Sequence, residues 1–255
     1  MSAPYSLWDN PLSKGVKAGF TNAGENGRFN LALHAGGKPD EAVENRKTLC
    51  RSLEIPFEAY TCADQVHGNR VTLVTAESKG RGRLSHEDAL PASDALITNK
   101  PGIMLNIFVA DCVPIILFDP RTCSGGLVHG GWRGSSELIV QKTVLAMKKN
   151  FGSQAEDIQA FIGPSVGGCC YRVGENVREA FEKHFSYPID PFHTEGDKLY
   201  LDLKEANRLQ LVGAGLKTNN IKVSPTCTCC SEEPLFSYRK SGETAGRFSA
   251  FFNIK

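Results

Sequence analysis

Three short stretches of this 255-residue chain place metal-ligating residue types beside glycine or at a break between apolar segments. They are Asp64–Gly68, which contains His67, Val109–Pro114, which contains Cys112, and Val128–Gly134, which contains His129. Two imidazoles and one thiolate form a known catalytic zinc ligand set, which leaves the fourth position for water or substrate. By ligand counting, one thiolate leaves a net charge of about +1, which favours hydroxide or an anion. We therefore predict a metal centre at His67, Cys112 and His129.

Asp111 stands beside the predicted thiolate, between two strongly apolar segments. A carboxylate in such surroundings is costly unless it is paired or lies at the surface, which favours a functional role over a simple turn. We predict that Asp111 either orients a ligand histidine through its second ring nitrogen or moves a proton to or from substrate. The predicted catalytic residues are then Cys112, His129 and Asp111. A second interpretation stays open, in which Cys112 is the nucleophile of a hydrolase and His129 is its base.

A glycine-rich turn follows His129, and the pattern predicts a helix that begins directly after it, with Ser135 or Ser136 as the cap. Backbone N–H groups at a helix start, together with Arg133 in the turn, suit a phosphate or a carboxylate. The planar guanidinium fork of arginine matches phosphate oxygens. The other arginines considered for this role are Arg46, Arg239 and Arg247.

The nine cysteines are an odd number, and they fit free thiols in a reducing compartment better than a disulfide framework. Cys227 and Cys230 have the C-x2-C spacing of a metal-binding pair, with Cys229 between them. Cys169 and Cys170 are adjacent and lie far away in the sequence. Because only one C-x2-C pair is present, the sequence favours buried thiols over a structural zinc site.

Short apolar runs rich in β-branched residues predict strands, and amphipathic stretches predict helices. The predicted strands are Val71–Thr75, Ala95–Thr98, Ile103–Val109, Val113–Phe118, Gly126–Val128 and Ile158–Ile162. The predicted helices are Asp40–Leu53, Ser135–Asn150, Glu175–Phe185 and Leu203–Ala214. Several strands follow one another without helices between them, which favours mixed β-sheets in an α+β fold rather than a doubly wound one. We predict a single domain over residues 1–255, with Lys79–Pro91 as an exposed loop.

Composition and charge argue against some classes of partner. The formal net charge is +1 and the isoelectric point is near 7.6, which gives no electrostatic footprint for nucleic acid or an anionic membrane. No apolar run approaches the length needed to span a bilayer. The first residues, MSAPYSLWDN, lack the basic and apolar regions of a secretory signal, so we expect a cytoplasmic protein.

Eleven short motifs follow one another along nearly the whole chain. They are Asn30–His34, Glu44–Arg46, Gln65–Gly68, Ser93–Thr98, Ala110–Pro114, His129–Gly134, Ile162–Pro164, Cys170-Tyr171, Cys227-Thr228, Phe236–Arg239 and Gly246-Arg247. In this combination and order the chain resembles the YfiH/YlmD-like family. Its members have been labelled laccase-domain or polyphenol oxidase proteins and are associated with purine nucleoside phosphorylase activity.

The resemblance implies zinc at the predicted metal centre, with copper as the less favoured ion. It implies an α+β fold with sheets packed in the middle and helices outside. The implied substrates are adenosine, inosine and 5′-methylthioadenosine, with phosphorolysis of the glycosidic bond and deamination of adenosine as the reactions. The expected partners are therefore purine nucleosides and phosphate, and neither nucleic acid nor membrane. The candidate residues for phosphate or substrate are Arg46, Arg133, Gln65 and Arg239.

The chain departs from the family pattern at a few positions outside the metal ligands. Asn22, Gly37 and Arg172 stand where the family favours Arg, Asp and Glu, and Gly130 replaces the usual Ala after the zinc histidine. The differences at Asn22, Gly37 and Arg172 change charge, so they bear on substrate preference and not on metal binding.

Three other functions remain open from the sequence. One is a cysteine–histidine hydrolase that acts on a peptide, an amide or a cell-wall precursor. Another is a copper-dependent polyphenol oxidase, which is disfavoured because the chain lacks the multiple His-rich motifs needed for several copper ions. The last is a metal-binding protein without enzymatic activity. Removal of the metal distinguishes the hydrolase, which should keep its activity, from a zinc enzyme, which should lose it.

Overall fold

The computed structural model describes residues 3–10, 15–184 and 186–255. Within them the chain forms three β-sheets and six α-helices. One sheet has five strands, in the spatial order β1 (Tyr5–Leu7), β2 (Val16–Thr21), β14 (Phe248–Ile254), β6 (Met104–Val109) and β3 (Tyr60–Cys62). Neighbouring strands of this sheet are antiparallel except β3 and β6, which are parallel.

A six-stranded sheet carries the strands that lie nearest to the predicted site. Its order is β13 (Ile221–Val223), β9 (Gln159–Ile162), β7 (Val113–Asp119), β8 (Ser124–Gly130), β5 (Ala95–Thr98) and β4 (Val71–Leu73). Strand β8 is antiparallel to both β7 and β5, whereas β4 runs parallel to β5. A small third sheet contains β10 (Arg172–Val173), β12 (Lys198–Leu201) and β11 (Phe192–Glu195).

The two large sheets pack face to face, and this explains why their strands are continuously apolar. On β7, Ile115 and Leu117 face one core cluster, whereas Ile116 and Phe118 face another between the sheets. Alternate side chains point to opposite faces of a strand, so a strand covered on both faces has no polar side. At Gly125 a Cβ would lie 2.2 Å from the Phe252 ring, so this glycine allows the close approach of the sheets.

Helices cover the outer faces of both large sheets. The six helices of the described residues are α1 (Pro39–Ser52), α2 (Trp132–Ser136), α3 (Ile139–Phe151), α4 (Glu175–Glu182), α5 (Leu203–Gly213) and α6 (Tyr238–Ser241). Helix α1 packs on the five-stranded sheet, while α3 and α5 pack on the six-stranded sheet. The predicted α+β fold, with mixed sheets in the centre and helices outside, is confirmed. No helix of the described residues has the length and apolar character needed to cross a membrane.

The structure contains the predicted strands, but the bounds of most of them differ from the prediction. All six predicted strands are present, and Ala95–Thr98 has the predicted bounds. The loop over Lys79–Pro91 is also present, but Gly80, Gly82, Ala89 and Leu90 within it are buried, so the prediction of an exposed loop is partly wrong. Eight strands were not predicted, because most of them are short or lie at sheet edges.

The predicted helix Ser135–Asn150 is wrong as a single element. The chain forms α2 and α3 instead, separated at Leu138, which adopts the left-handed conformation with φ of 63°. Helix α2 packs on the loop before β4, since a Cβ at Gly134 would lie 2.4 Å from the Gly68 carbonyl oxygen. Helix α3 packs on the sheet, and one straight helix cannot satisfy both contacts. The predicted helix Glu175–Phe185 ends at Glu182, and Phe185 lies outside the described residues.

Candidate metal centre and substrate pocket

The predicted ligands meet at one end of the six-stranded sheet. Strand β7 begins directly after Cys112, and His129 is the second-last residue of the antiparallel strand β8. Because β5 is antiparallel to β8 and β4 is parallel to β5, both of these strands begin at the same end. The loop that contains His67 leads into β4, and Asp94 lies directly before β5. The sheet topology thus gathers residues from four separate parts of the chain.

The three predicted ligands form a cluster that is open on one side. The ligand atoms of His67, Cys112 and His129 all lie within 4.8 Å of one another. The two imidazole rings are nearly perpendicular, with 4.8 Å between their centroids. His129 is 3% exposed and Cys112 is half-buried, whereas His67 is exposed. Three protein ligands with an open side are the arrangement of a catalytic metal site rather than a closed structural one.

Local packing around the cluster fits a metal ion. A Cβ at Gly131 would lie 3.0 Å from His67 Cδ2 and 3.4 Å from Cys112 Sγ. A larger residue at Gly131 would therefore crowd the His67 ring. This glycine is needed for space and not for its backbone conformation, since its φ of −73° is accessible to all residues.

Asp94 holds two of the three ligands in place. Its fully buried carboxylate lies 2.7 Å from His129 Nδ1. It also accepts hydrogen bonds from the backbone N–H groups of His67 at 2.9 Å, Gly68 at 2.8 Å and Val66 at 3.2 Å. The bond to Nδ1 leaves His129 Nε2 for the metal centre, as is typical of ligand histidines. Burial opposes ionisation of Asp94, but the bonds from His129 and the backbone outweigh it and lower its pKa.

The prediction that Asp111 orients a ligand histidine is wrong, because Asp94 occupies that place. Asp111 Oδ1 accepts a hydrogen bond from Thr228 Oγ1 at 2.6 Å, and Oδ2 accepts one from the backbone N–H of Arg239 at 2.6 Å. Its φ of 86° is in the left-handed region, which Asp tolerates better than most residues. Asp111 therefore ties two C-terminal segments to the wall of the pocket. A role in proton transfer remains a prediction.

Cys112 and His129 carry opposite charges when no metal is bound. Burial disfavours the thiolate, but His129 and His67 outweigh it and lower the pKa of Cys112 to about 6. Burial likewise disfavours the imidazolium, but Cys112 and Asp94 outweigh it and raise the pKa of His129 to about 9. At neutral pH the thiol has thus already lost its proton, while the imidazole still carries one.

These pKa values predict how metal affinity depends on pH. A metal must displace the proton of His129, whose pKa is near 9, whereas Cys112, with a pKa near 6, gives up no proton at pH 7 to 8. Between pH 7 and 8 we expect the apparent metal affinity to rise about tenfold per pH unit, because binding of the metal releases the proton of His129. Competition with a chelator of known pH dependence measures this. An affinity that stays constant over this range would contradict the charge assignment.

A cavity of about 610 Å³ opens onto the three ligands. Drug-sized and cofactor-sized ligands bind in cavities of about this volume. Its wall combines aromatic and cationic side chains, which suit a flat base and an anion respectively. The aromatic residues are Phe108, Trp132, Tyr171 and Tyr238, and the arginines are Arg133, Arg239 and Arg247.

The three pocket arginines are held by aromatic rings and by the backbone. The guanidinium of Arg133 lies 4.3 Å from the ring centroid of Trp132, and that of Arg239 lies 4.8 Å from the ring of Tyr171. Arg239 also donates a hydrogen bond to the carbonyl of Arg172 at 2.6 Å. Arg247 Nη1 donates one to the carbonyl of Gly246 at 3.0 Å. Stacked guanidinium groups keep their donor edges available for an anion.

Two predicted substrate residues, Arg46 and Gln65, bond to backbone groups of the protein itself. Arg46 is 1% exposed, lies outside the pocket wall, and donates to the carbonyls of Leu31 at 2.7 Å and Gly82 at 2.7 Å. Its proposed phosphate contact is wrong in this structure, because the buried guanidinium instead joins α1 to two loops. Gln65 does line the pocket, but its amide pairs with both backbone groups of Phe108, at 2.9 and 2.7 Å.

Sequence reasoning missed Asp94 and the pocket residues Tyr171, Tyr238 and His34. Asp94 had a detectable signal, since it is a carboxylate directly before the buried strand β5, just as Asp111 stands before β7. Tyr171, Tyr238 and His34 each stand in one of the family motifs, but nothing in their type or spacing indicated a place in the pocket. The predicted phosphate site at the Ser135 helix start is also wrong, since Ser135 is fully buried inside α2 and bonds to Asn207.

The fold and the site together define an α+β protein with an open group of two histidines and one cysteine that can hold a metal ion. Residues 15–255 match the model of a family described as multi-copper polyphenol oxidoreductase laccase. The chain belongs to this family.

Curated relatives and solved structures of the family resemble the chain over most of its length. It is 37% identical over 238 residues to "Purine nucleoside phosphorylase YlmD" of Geobacillus stearothermophilus, covering 92% of this chain and 87% of the relative. It is 34% identical to "Adenosine deaminase RL5" of an unknown prokaryotic organism, covering 92% of each chain. The crystal structure of the Bacillus licheniformis hypothetical protein YfiH superposes with a TM-score of 0.94 at 32% identity, covering 100% of this chain and 97% of the other.

Proposed function

We propose that this protein is a zinc-dependent purine nucleoside phosphorylase that acts on adenosine, inosine and 5′-methylthioadenosine, and that the same site deaminates adenosine. The observation that carries the proposal is the open cluster of His67, Cys112 and His129 at a pocket lined by aromatic rings and arginines. The names of the relatives, purine nucleoside phosphorylase and adenosine deaminase, support the substrate class.

The ligand set favours zinc over copper. Two nitrogens and one sulfur from three residues, with an open position, are a recurrent zinc donor set. The same donors occur in electron-transfer copper sites, where a distant axial methionine usually completes the site. No methionine of the described residues lines the pocket. The sequence has six histidines, two of which belong to this cluster, and this number is small for an oxidase with several copper ions.

Zinc at this cluster would supply Lewis-acid polarisation next to the substrate. The chain itself would supply orientation and charge. Asp94 fixes the His129 ring through Nδ1, and its bonds to the backbone fix the loop that carries His67. Both effects keep the ligands in one arrangement and lower the cost of reorganisation during reaction.

Phosphorolysis requires inorganic phosphate at C1′ of the ribose. A phosphate oxygen forms a bond to C1′, while the bond from C1′ to the base breaks and its electron pair leaves with the base, which takes up a proton. Arg133, Arg239 and Arg247 carry the positive charge of the pocket wall and would bind the phosphate. Burial and the nearby Cys112 raise the pKa of Tyr171, so its hydroxyl stays protonated and can donate a hydrogen bond to the substrate.

Deamination needs water instead of phosphate as the second reactant at the same site. Water adds to C6 of adenine and ammonia leaves, which converts adenosine into inosine. The two reactions share the purine but differ in their need for phosphate, and this difference provides the test.

The purified protein should be incubated with adenosine in the presence and absence of phosphate, with identification of the products. We expect adenine and ribose 1-phosphate only when phosphate is present, and inosine in either case. Chelation should stop both reactions, and added zinc should restore them. Protein at full metal content that converts none of the three nucleosides would refute the proposal.

A cysteine hydrolase is the second candidate, and one observation favours it. Asp94, His129 and Cys112 stand in a chain of contacts like that of a catalytic triad, with an ionised thiol next to a charged imidazole. The exposed His67 beside the same thiol is explained by metal binding and not by a triad. A hydrolase should keep or gain peptidase or amidase activity when the metal is stripped, whereas a zinc enzyme should lose activity.

Arg133→Lys tests the phosphate site. Lysine keeps the positive charge but replaces the bidentate fork with a point charge, and it loses the stacking on Trp132. We expect the phosphate KM to rise about tenfold, the effect of losing one charge-assisted hydrogen bond, with a smaller change in kcat. Arg121→Lys, in the exposed turn at the opposite end of β7, is the matched control. An unchanged phosphate KM would remove Arg133 from the site.

A further inference from the structure

A second group of metal-ligating side chains lies outside the pocket. The sulfur atoms of Cys169, Cys170, Cys227 and Cys230 all lie within 4.8 Å of one another. Cys169 and Cys230 are exposed and only Cys227 is fully buried, so the expectation of buried thiols is wrong for this group. The two pairs come from the loop after β9 and the loop after β13, and these strands are parallel neighbours in the sheet.

The spacing of the sulfurs matches a tetrahedral ion site. Cys169 Sγ lies 3.8 Å from both Cys170 Sγ and Cys230 Sγ. Four thiolates at about 2.3 Å from a zinc ion are separated from one another by about 3.8 Å. The sulfurs of a disulfide are only about 2.05 Å apart, and all nine cysteines here are free. The thiols are therefore spaced like ligands around one ion.

Backbone N–H groups surround the sulfur of Cys227. The backbone N–H of Gly167 donates to Cys227 Sγ at 3.2 Å, and those of Cys229 and Cys230 also point to this sulfur. Hydrogen bonds of this kind stabilise the charged form of the thiol. A Cβ at Gly167 would lie 3.3 Å from the Cβ of Cys227, so the glycine allows the two loops to approach each other closely.

A buried lysine adds a positive charge next to the group. Lys204 is 8% exposed and donates to the carbonyls of Ser224 at 3.0 Å and Thr226 at 3.1 Å, in the segment that leads to Cys227. Four thiolates around a divalent ion carry a net charge of about −2, which a nearby ammonium partly balances. This gives the lysine an electrostatic reason to be buried.

We propose that Cys169, Cys170, Cys227 and Cys230 form a second metal site that holds one Zn²⁺ with four thiolates. Four protein ligands leave no open position, so the site is structural and not catalytic. Four tetrahedral sulfur donors favour zinc or iron. A site that only joins two loops needs no redox chemistry, which favours zinc.

The site would stabilise one wall of the substrate pocket. The two cysteine loops already meet at a bridge between Ser165 and Cys227, and Thr228 donates its backbone N–H to the Ser165 carbonyl at 3.0 Å. Thr228 in turn bonds to Asp111, and Tyr171, which follows Cys170, lines the pocket. Loss of the ion should therefore raise the nucleoside KM more than it lowers kcat.

Elemental analysis of the purified holoprotein and its variants tests the site. We expect about two zinc ions per chain in the parent protein, one in Cys230→Ser, one in Cys112→Ala and none in the double variant. Cys229→Ser is the matched control, because its thiol lies in the same loop outside the group, and it should keep both ions. Metal content is read without any nucleoside, so this test does not depend on the proposed activity.

A second measurement covers the case in which Cys230→Ser does not fold. The parent protein is loaded with Co²⁺, and thiolate-to-cobalt charge-transfer absorption is followed during titration with the metal. Absorption of a four-thiolate site is expected in addition to that of a one-thiolate site. Three results would overturn the proposal. They are a single ion per chain that is lost entirely in Cys112→Ala, iron in place of zinc, and a native mass that shows a disulfide within the group.

Discussion

Cys112→Ala should abolish metal binding at the His67 and His129 site and, with it, phosphorolysis and deamination. The variant removes the only sulfur donor among the three ligands, and the fourth position is open. Loss of a residue that merely orients a ligand costs about 10- to 100-fold in affinity or activity, so loss of a ligand should cost more than about 100-fold. Elemental analysis should show one metal ion fewer per chain than in the parent protein.

Cys123→Ala is the control for this prediction. Cys123 is an exposed thiol in the turn between β7 and β8, at the end of the sheet opposite Cys112. It should leave metal content and turnover unchanged. If Cys112→Ala keeps the same metal content as the parent protein, the ligand assignment is wrong. If it keeps its metal but loses all turnover, the thiol is a nucleophile and the hydrolase interpretation gains support.

Asp94→Asn should have the second largest effect, although Asp94 does not reach the metal position itself. Its two carboxylate oxygens accept from His129 Nδ1 and from the N–H groups of His67, Gly68 and Val66. An asparagine presents an NH₂ group on one side, which places donors opposite donors on that side. We expect metal affinity and turnover to fall about 10- to 100-fold in a protein that still folds.

Asp111→Asn is the matched comparison, because Asp111 is a buried carboxylate at the same end of the sheet that contacts neither ligand histidine. It should keep the metal and lose most turnover of adenosine, since it weakens the contacts that hold Arg239 and Thr228 at the pocket. Metal titration and nucleoside kinetics on both variants separate the two roles. Equal metal loss in both, or none in Asp94→Asn, would show that Asp94 does not position the ligands.

The two proposed metal sites lie on loops of the same sheet but differ in the number of protein ligands and in access to the pocket. The first has three ligands and opens to a pocket, and the second has four ligands and joins two loops. The hydrogen bonds of Asp111 to Thr228 and Arg239 connect the second site to the pocket wall. A structural ion at a distance from the substrate can thus affect substrate affinity without taking part in the reaction.

Local sequence signals were sufficient for the central strands. The alternating burial of β7 on two cores requires apolar residues at every position, so a continuous apolar run such as Val113–Phe118 is a direct signature of it. The break of the Ser135–Asn150 helix at Leu138 had no such signature. Its residues have good helical periodicity, and the packing of α2 on the loop at Gly68 is a contact between segments distant in sequence.

Local sequence patterns identified the available ligand donors and their positions relative to the strands. Two histidines and a cysteine beside buried strands predicted the first cluster, because ligand type and strand ends are local properties. Three features emerged from the folded chain alone: the carboxylate that supports the ligands, the arginines that face the pocket, and the meeting of two distant cysteine pairs. These outcomes depend on the order and direction of strands within a sheet. Short-range patterns do not encode that order, since each strand is equally apolar wherever in the sheet it pairs.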